Sequence, residues 1–299
     1  MTVELRERES GTGRLVVLVH GQPGRAAGWD RLVLALQGSH RVLRYDRPGW
    51  GESEGPAVGI AGNALALRGL LESRLSQGGA VSGDAGGPTC PAVLVGHSLG
   101  AAIAVSLAQR YPGLVGALVL VNPSVTPASL GRLDRLLASA PLGDGLALAG
   151  FVAADVVLSL IVRHREGLPE GVRRLASALP AGVLAAADDG GDPPSGGGVR
   201  WPATRRRGGG WRSFVTEQRA LLREAAGIEA ALGEVAAPAV VVGGTRDRLV
   251  PARSVRALAG ALPVAELRWL DGGHLLPWEA PARLAEVVGE AGRLARASG

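Results

Sequence analysis

The 299-residue sequence contains no lysine; all 32 of its basic residues are arginine. Set against 27 acidic residues they leave a formal net charge of +5. The arginines are interspersed with acids, and their one dense stretch sits inside a glycine-rich segment, so the basic stripe of a nucleic-acid-binding protein is missing. Cysteine is nearly absent too. Cys90 stands alone, which excludes an intrachain disulfide and a cysteine-based metal site and fits a reducing compartment. The first ten residues, MTVELRERES, are polar and lack the apolar stretch of a secretory signal, so the cytoplasm is the expected location. Nor is this the composition of a disordered chain, since 46% of residues are hydrophobic and only 20% charged. A chain of this length can bury a substantial core, in one large domain or two of ordinary size.

Long apolar runs are scarce. Only residues 145–162, GLALAGFVAADVVLSLIV, approach the length of a membrane span. Asp155 lies at the middle of that run, where a carboxylate costs about 2.5–3.5 kcal/mol to insert, and its alanines and glycines add little apolar drive. A helix packed on the protein and covering a pocket is the better reading. The expected partner is therefore a small-molecule substrate, with no nucleic acid and no membrane. The oligomeric state is not legible, and no internal repeat is visible.

What the sequence does have is alternation. Leu15–Val19, Val42–Leu43, Ala92–Val95 and Leu114–Val121 are short, β-branched and nearly continuous, as expected of strands covered on both faces. Between them, Trp29–Gln37, Ala61–Ser76 and Ala101–Arg110 carry leucines, valines and alanines at helical spacing. The tail repeats the pattern, with strands at Ala239–Val242 and Glu266–Leu270 and helices at Arg253–Leu262 and Pro281–Arg296. This predicts an α/β fold, a doubly wound, mostly parallel sheet with right-handed crossovers. Residues 125–221 interrupt it without strand-like runs and with helical stretches near 129–138, 146–165 and 169–179. The predicted organisation is a core of residues 1–124 and 222–299 with an inserted helical cap at 125–221. Within the cap, 188–210 (DDGGDPPSGGGVRWPATRRRGGG) is too rich in glycine, proline and charge to bury a core and reads as a disordered or mobile loop. The glycine-rich stretch 77–91 reads as an extended surface connection.

Gly96-His97-Ser98-Leu99-Gly100 matches G-x-S-x-G and stands between an apolar strand and an alanine-rich helix. A serine held at so sharp a turn has strained backbone angles, and Gly96 and Gly100 must lack side chains because the chain nearly touches itself there. Ser98 would then project from the carboxyl end of the sheet, with a helix N-terminus behind it suited to a developing oxyanion. By itself the pentapeptide can also be a plain glycine turn.

A serine nucleophile needs a base and an acid to orient that base. Of five histidines, His97 is adjacent to Ser98, is expected to point elsewhere and is read as structural, and His40 and His164 sit in polar surroundings where solvated histidines are common. His274 follows the last strand in the loop Asp271-Gly-Gly-His274, at the carboxyl rim of the sheet. Asp247, just beyond the strand Ala239–Val242, is the favoured acid. Asp271 is its competitor, three residues from His274 in a tight turn that places it badly for the far ring nitrogen. The order Ser98, Asp247, His274 is that of one group of serine hydrolase folds. Oxyanion donors are expected from the N–H of Leu99 and from the N–H of Gln22, in a loop where Gly21 lets the backbone approach the serine and Pro23 has no N–H to offer. His20 is read as fixing that loop by a side-chain hydrogen bond.

With these residues the sequence resembles the α/β-hydrolase superfamily, in its serine-nucleophile, helical-cap form. The resemblance rests on HGQPG at 20–24, YDRPGWGES at 45–53, GHSLG at 96–100, GTRDRLVP at 244–251 and GGHLLPWEAP at 272–281, and covers residues 13–124 and 222–296. It implies a structural turn at Asp46–Gly51, and it marks Glu279 and Pro281 as the start of the closing helix. Relatives with dehalogenase or epoxide-hydrolase chemistry carry aspartate where this chain has Ser98, which disfavours both activities, although epoxide hydrolases often share the proline of HGQPG. The implied activity is a serine hydrolase, most simply a carboxylic-ester hydrolase, that needs no metal or organic cofactor. Perhydrolysis of the cofactor-free haloperoxidase type, acyl transfer or carbon–carbon bond hydrolysis by the same triad stay open, as does a non-catalytic binding protein on the same fold. Leu148, Phe151, Val152, Val156 and Leu160 either line an apolar pocket or pack the cap onto the core.

Overall fold

The computed structural model describes residues 4–77, 91–163 and 210–297. The helix expected near 169–179, the loop expected over 188–210 except for Gly210, and most of the 77–91 connection lie outside the described residues.

The apolar runs form one seven-stranded sheet. Its strands are β1 (Glu7–Ser10), β2 (Arg14–Val19), β3 (His40–Tyr45), β4 (Ala92–His97), β5 (Val115–Val121), β6 (Ala239–Gly244) and β7 (Ala265–Leu270), in the order β1-β3-β2-β4-β5-β6-β7. All neighbours pair in parallel except β1, which runs antiparallel to β3. Along the five inner strands apolar side chains are divided between two cores. Val17, Val19 and Leu94 join a cluster with helices α2 (Ile60–Gln77) and α3 (Leu99–Arg110). Val16, Leu18, Val93 and Val95 join one with α1 (Asp30–Leu36) and the closing helix (Pro281–Ala297). Strands packed on both faces must be apolar throughout, which accounts for the unbroken runs in the sequence.

After β3 the chain crosses to the far side of β2 to begin β4. At such a reversal the loops leaving the carboxyl ends of two adjacent parallel strands part in opposite directions, leaving a crevice. The loop after β2 and the turn after β4 flank it.

Between β5 and β6 come α4 (Arg132–Ala138), α5 (Leu142–Arg163) and α6 (Gly210–Ala230), which pack on one another, and α6 also packs on α2 and α3. The helix α6 runs unbroken through residues 221 and 222. Among the described residues no single helix is long and apolar enough to cross a membrane. Leu148 and Val152 of α5 are 43% and 54% exposed.

Candidate active site

Ser98 links β4 to α3 with φ +53° and ψ −118°, a conformation that costs a non-glycine residue on the order of 1–3 kcal/mol. The surroundings enforce it. The Ser98 N–H donates to Val121 O at 2.9 Å, and Ser98 O accepts from Ala101 N at 3.0 Å and from Ser124 N at 3.2 Å. A methyl group on Gly100 would stand 2.0 Å from Val19 O, and one on Gly96 would stand 2.5 Å from Gly100 O. No side chain fits at either place, so the motif glycines are steric requirements of the turn. Ser98 Oγ lies 3.5 Å from Ser124 Oγ.

His274 and Asp247 reach the same rim from the loops after β7 and β6. His274 Nδ1 and Asp247 Oδ2 are 2.8 Å apart, while Asp247 Oδ1 accepts from the N–H groups of Leu249 at 2.7 Å and Val250 at 3.1 Å. Burial alone would raise the Asp247 carboxyl. The hydrogen bond and charge of His274, with the two backbone donors, outweigh it and hold the carboxyl below the usual carboxylate range. Asp271, the competitor, pairs instead with Arg246 and accepts from Thr245 Oγ1 at 3.1 Å, on the exposed surface.

Three residues outside the proposed triad hold the His274 loop. His97, read from the sequence as structural, is one of them. Its ring stands 4.9 Å from that of His274, and its Nε2 lies 2.8 Å from His274 O, an acceptor, so this nitrogen carries the proton. Burial first, and the neighbouring His274 second, lower the His97 pKa to about 3 and keep the ring neutral. Asn122, fully buried where β5 ends, donates to Gly273 O at 3.0 Å and His274 O at 2.9 Å and accepts from Gly244 N at 2.7 Å. Its signal in the sequence is a polar residue with its own rim position, directly after the apolar run of β5. Glu279 accepts from the N–H groups of Gly273 at 2.7 Å and Leu275 at 3.2 Å.

The loop after β2 closes the site from the other side. A methyl on Gly21 would lie 3.0 Å from both Ser98 Cβ and His97 O, tighter than ordinary contact, so a side chain here would press on the serine turn. The Gln22 side chain donates to Gln218 Oε1 of α6 at 2.5 Å, and Gln218 donates to Asp134 Oδ1 of α4 at 2.9 Å. Leu99 is the first residue of α3, where backbone N–H groups have no partner within the helix. Asp46 holds its own turn together, accepting from Ala26 N at 2.6 Å and Glu52 N at 2.9 Å.

Residues 16–287 match the model of the alpha/beta hydrolase family. The chain belongs to that family. Among the relatives of this α/β hydrolase is a 2-(acetamidomethylene)succinate hydrolase of Mesorhizobium japonicum, 29% identical over 189 residues that cover 59% of this chain and 63% of the relative. Another is the 2-hydroxy-6-oxononadienedioate/2-hydroxy-6-oxononatrienedioate hydrolase of Comamonas testosteroni, 25% identical over 280 residues, covering 91% and 85%. An esterase from Thermogutta terrifontis shares the fold at 21% identity, with a TM-score of 0.65 and coverage of 98% and 94% of the two chains. Family membership, with relatives named as hydrolases, puts the chain among the hydrolases.

In this α/β hydrolase Ser98, His274, Gln22 and Leu99 all border one cavity of about 580 Å³. Of the two roles left open for Leu148, Phe151 and Val152, lining this cavity is not the one the structure gives them. Among the described residues Leu133 and Leu137 of α4 and Phe214 and Leu221 of α6 line it, whereas Leu148, Phe151 and Val152 do not. Phe151 packs instead against Phe214, with ring centroids 6.0 Å apart. The side chains of Val156 and Leu160 lie outside the described ones.

Proposed function

We propose that the protein is a serine hydrolase that cleaves an ester-like bond of a small, largely hydrophobic molecule through an acyl-enzyme. The observation that carries this reading is that the Asp247–His274 pair, 2.8 Å apart, opens onto the same cavity as Ser98 in its strained turn. Asp247, ionised, holds the Nδ1 proton of His274 and leaves Nε2 free to accept the Ser98 proton. Ser98 Oγ attacks the carbonyl carbon, and the negative charge that develops on the carbonyl oxygen is met by the N–H groups of Leu99 and Gln22. His274 returns the proton to the leaving alcohol, then activates the water that releases the acid. The insertion acts as a cap, with α4 and α6 supplying the apolar wall against the acyl or alkyl group.

Replacing Ser98 by alanine is expected to abolish turnover of aryl esters and labelling by a fluorophosphonate. Unchanged turnover in the purified variant would overturn the assignment. A second reading, hydrolysis of a carbon–carbon bond beside a carbonyl, takes its support from the name of the Comamonas relative. It would appear as Ser98-dependent turnover of a dienone acid with no turnover of aryl esters of any acyl length.

A further inference from the structure

Arg47, in the turn after β3, is fully buried, a position arginine holds only when its donors are engaged. It is paired with Glu217 of α6. Nη1 donates to Glu217 Oε1, and Nη2 donates to Oε2 at 3.0 Å. The same guanidinium turns back on the loop after β2, with Nε donating to His20 O at 3.0 Å and Nη2 donating to Gly21 O at 2.9 Å. The backbone N–H of Arg47 donates to His20 Nε2 at 3.1 Å. That nitrogen is therefore an acceptor, the ring proton sits on Nδ1, and Nδ1 donates to Gly21 O at 2.8 Å. The Gly21 carbonyl is thus held by two donors.

That carbonyl shares a trans peptide with the N–H of Gln22. In a trans peptide the C=O and N–H point in opposite directions, so fixing one aims the other. Among the described residues the Gln22 N–H has no partner, and Gln22 borders the cavity beside Ser98. The packing around the held oxygen is close as well. A methyl on Gly24 would stand 2.7 Å from Gly21 O and 2.8 Å from His20 Nδ1.

We infer that Arg47, Glu217 and His20 are positioning residues for the oxyanion site: they aim the Gly21–Gln22 peptide, and Glu217 makes that aim depend on the seat of α6. The inference rests on the serine-hydrolase reading of Ser98. The next residue of α6, Gln218, grips the Gln22 side chain, so two successive positions of one inserted helix hold the loop.

The test is the double variant Arg47→Met, Glu217→Met. Apolar replacement of a buried ion pair at similar volume is commonly tolerated by the fold, and here it deletes the guanidinium donors to His20 O and Gly21 O. Deleting an oxyanion donor outright costs about 10²–10³ in kcat, so a misaimed one is expected to lower kcat by about 10- to 100-fold with KM changed by less than about 3-fold. Affinity for an aryl trifluoromethyl ketone, which forms a tetrahedral adduct on the serine, should fall in step with kcat, while affinity for the product carboxylate stays within about 2-fold. A folded variant with wild-type kcat and ketone affinity overturns the inference. So does an equal loss in ketone and product affinity, which is what a general loosening of the site would give. If the double variant fails to fold, His20→Leu removes the other donor to Gly21 O and is read in the same way. Turnover surviving Ser98→Ala would instead remove the reading beneath, so the two failures are distinguishable.

Discussion

Asn122 donates its side-chain amide to the carbonyl oxygen of His274 at 2.9 Å, tying the end of β5 to the loop that carries the proposed base. The same residue accepts from Gly244 at the end of β6, so one buried amide spans three strand ends. Asn122→Asp keeps the shape but sets a carboxyl oxygen against the Gly273 and His274 carbonyls. A buried group left without its partner costs about 1–3 kcal/mol, so the variant should melt several degrees lower. Displacing the base should also lower kcat by about 10-fold or more. Thermal melts and ester kinetics on the same sample check both.

Asp247 and Asp271 give opposite forecasts. Asp247→Asn cannot hold His274 in the required tautomer, and the same change in a serine triad costs on the order of 10⁴ in kcat. Asp271 is 79% exposed, and Asp271→Asn should leave kcat within about 2-fold. Rates of fluorophosphonate labelling for the two variants, measured side by side, decide between the carboxylates.

Acid should weaken the fold in two windows. His97 titrates near 3 when folded against 6.5 as its ordinary value, so the unfolded chain binds the extra proton first and stability is lost as pH falls from about 6.5 toward 3. His20, lowered mainly by burial and then by Arg47, acts in the same direction. The Asp247 carboxyl is held below its ordinary 3.8, so its contribution is present above that value and disappears only as pH falls through the lower folded one. His97→Gln retains an amide donor for His274 O and removes one titration. The melting temperature of that variant should fall less between pH 6.5 and 4 than that of the wild type.

Two glycine-to-alanine changes should move stability in opposite directions. In Gly100→Ala the methyl would meet the Val19 backbone, which cannot yield without breaking the β2–β4 pairing, so soluble folded protein should be lost or nearly so. A methyl on Gly69, within α2, would meet nothing within 4 Å, and Gly69→Ala should stabilise by about 0.4–1 kcal/mol. Solubility and thermal melts report both.

The parallel strands are legible because burial on both faces writes itself as an unbroken β-branched run. The edge strand β1, Glu7-Arg-Glu-Ser10, is not, because its pairing with β3 uses backbone groups while its side chains stay polar. Arg41 and Arg44 hide the length of β3 in the same way, since they pair with Glu9 and Asp30 at the sheet margin. Ser98, Asp247 and His274 stand out because each follows a recognisable strand. The supports do not. Asn122 reaches His274 across 152 positions and Arg47 reaches Glu217 across 170, and no spacing rule encodes such distances. The pocket wall is not legible for a related reason. Helix α5 is apolar on most sides, so its pattern names no inward face, and Leu148 and Val152 face solvent.

The ladder between β5 and β6 sets residue 118 beside residue 239, with residues 122–238 strung between the two strands. The entropy of closing a loop grows with the logarithm of its length, about 0.6 kcal/mol for each doubling. The separation of Ser98 from Asp247 is thus fixed by strand pairing and barely depends on the path the chain takes from one to the other. Such a frame can take an insertion of another length or composition at the same two joints and keep its rim. What must travel with a new insertion is a pair of side chains able to take over from Glu217 and Gln218.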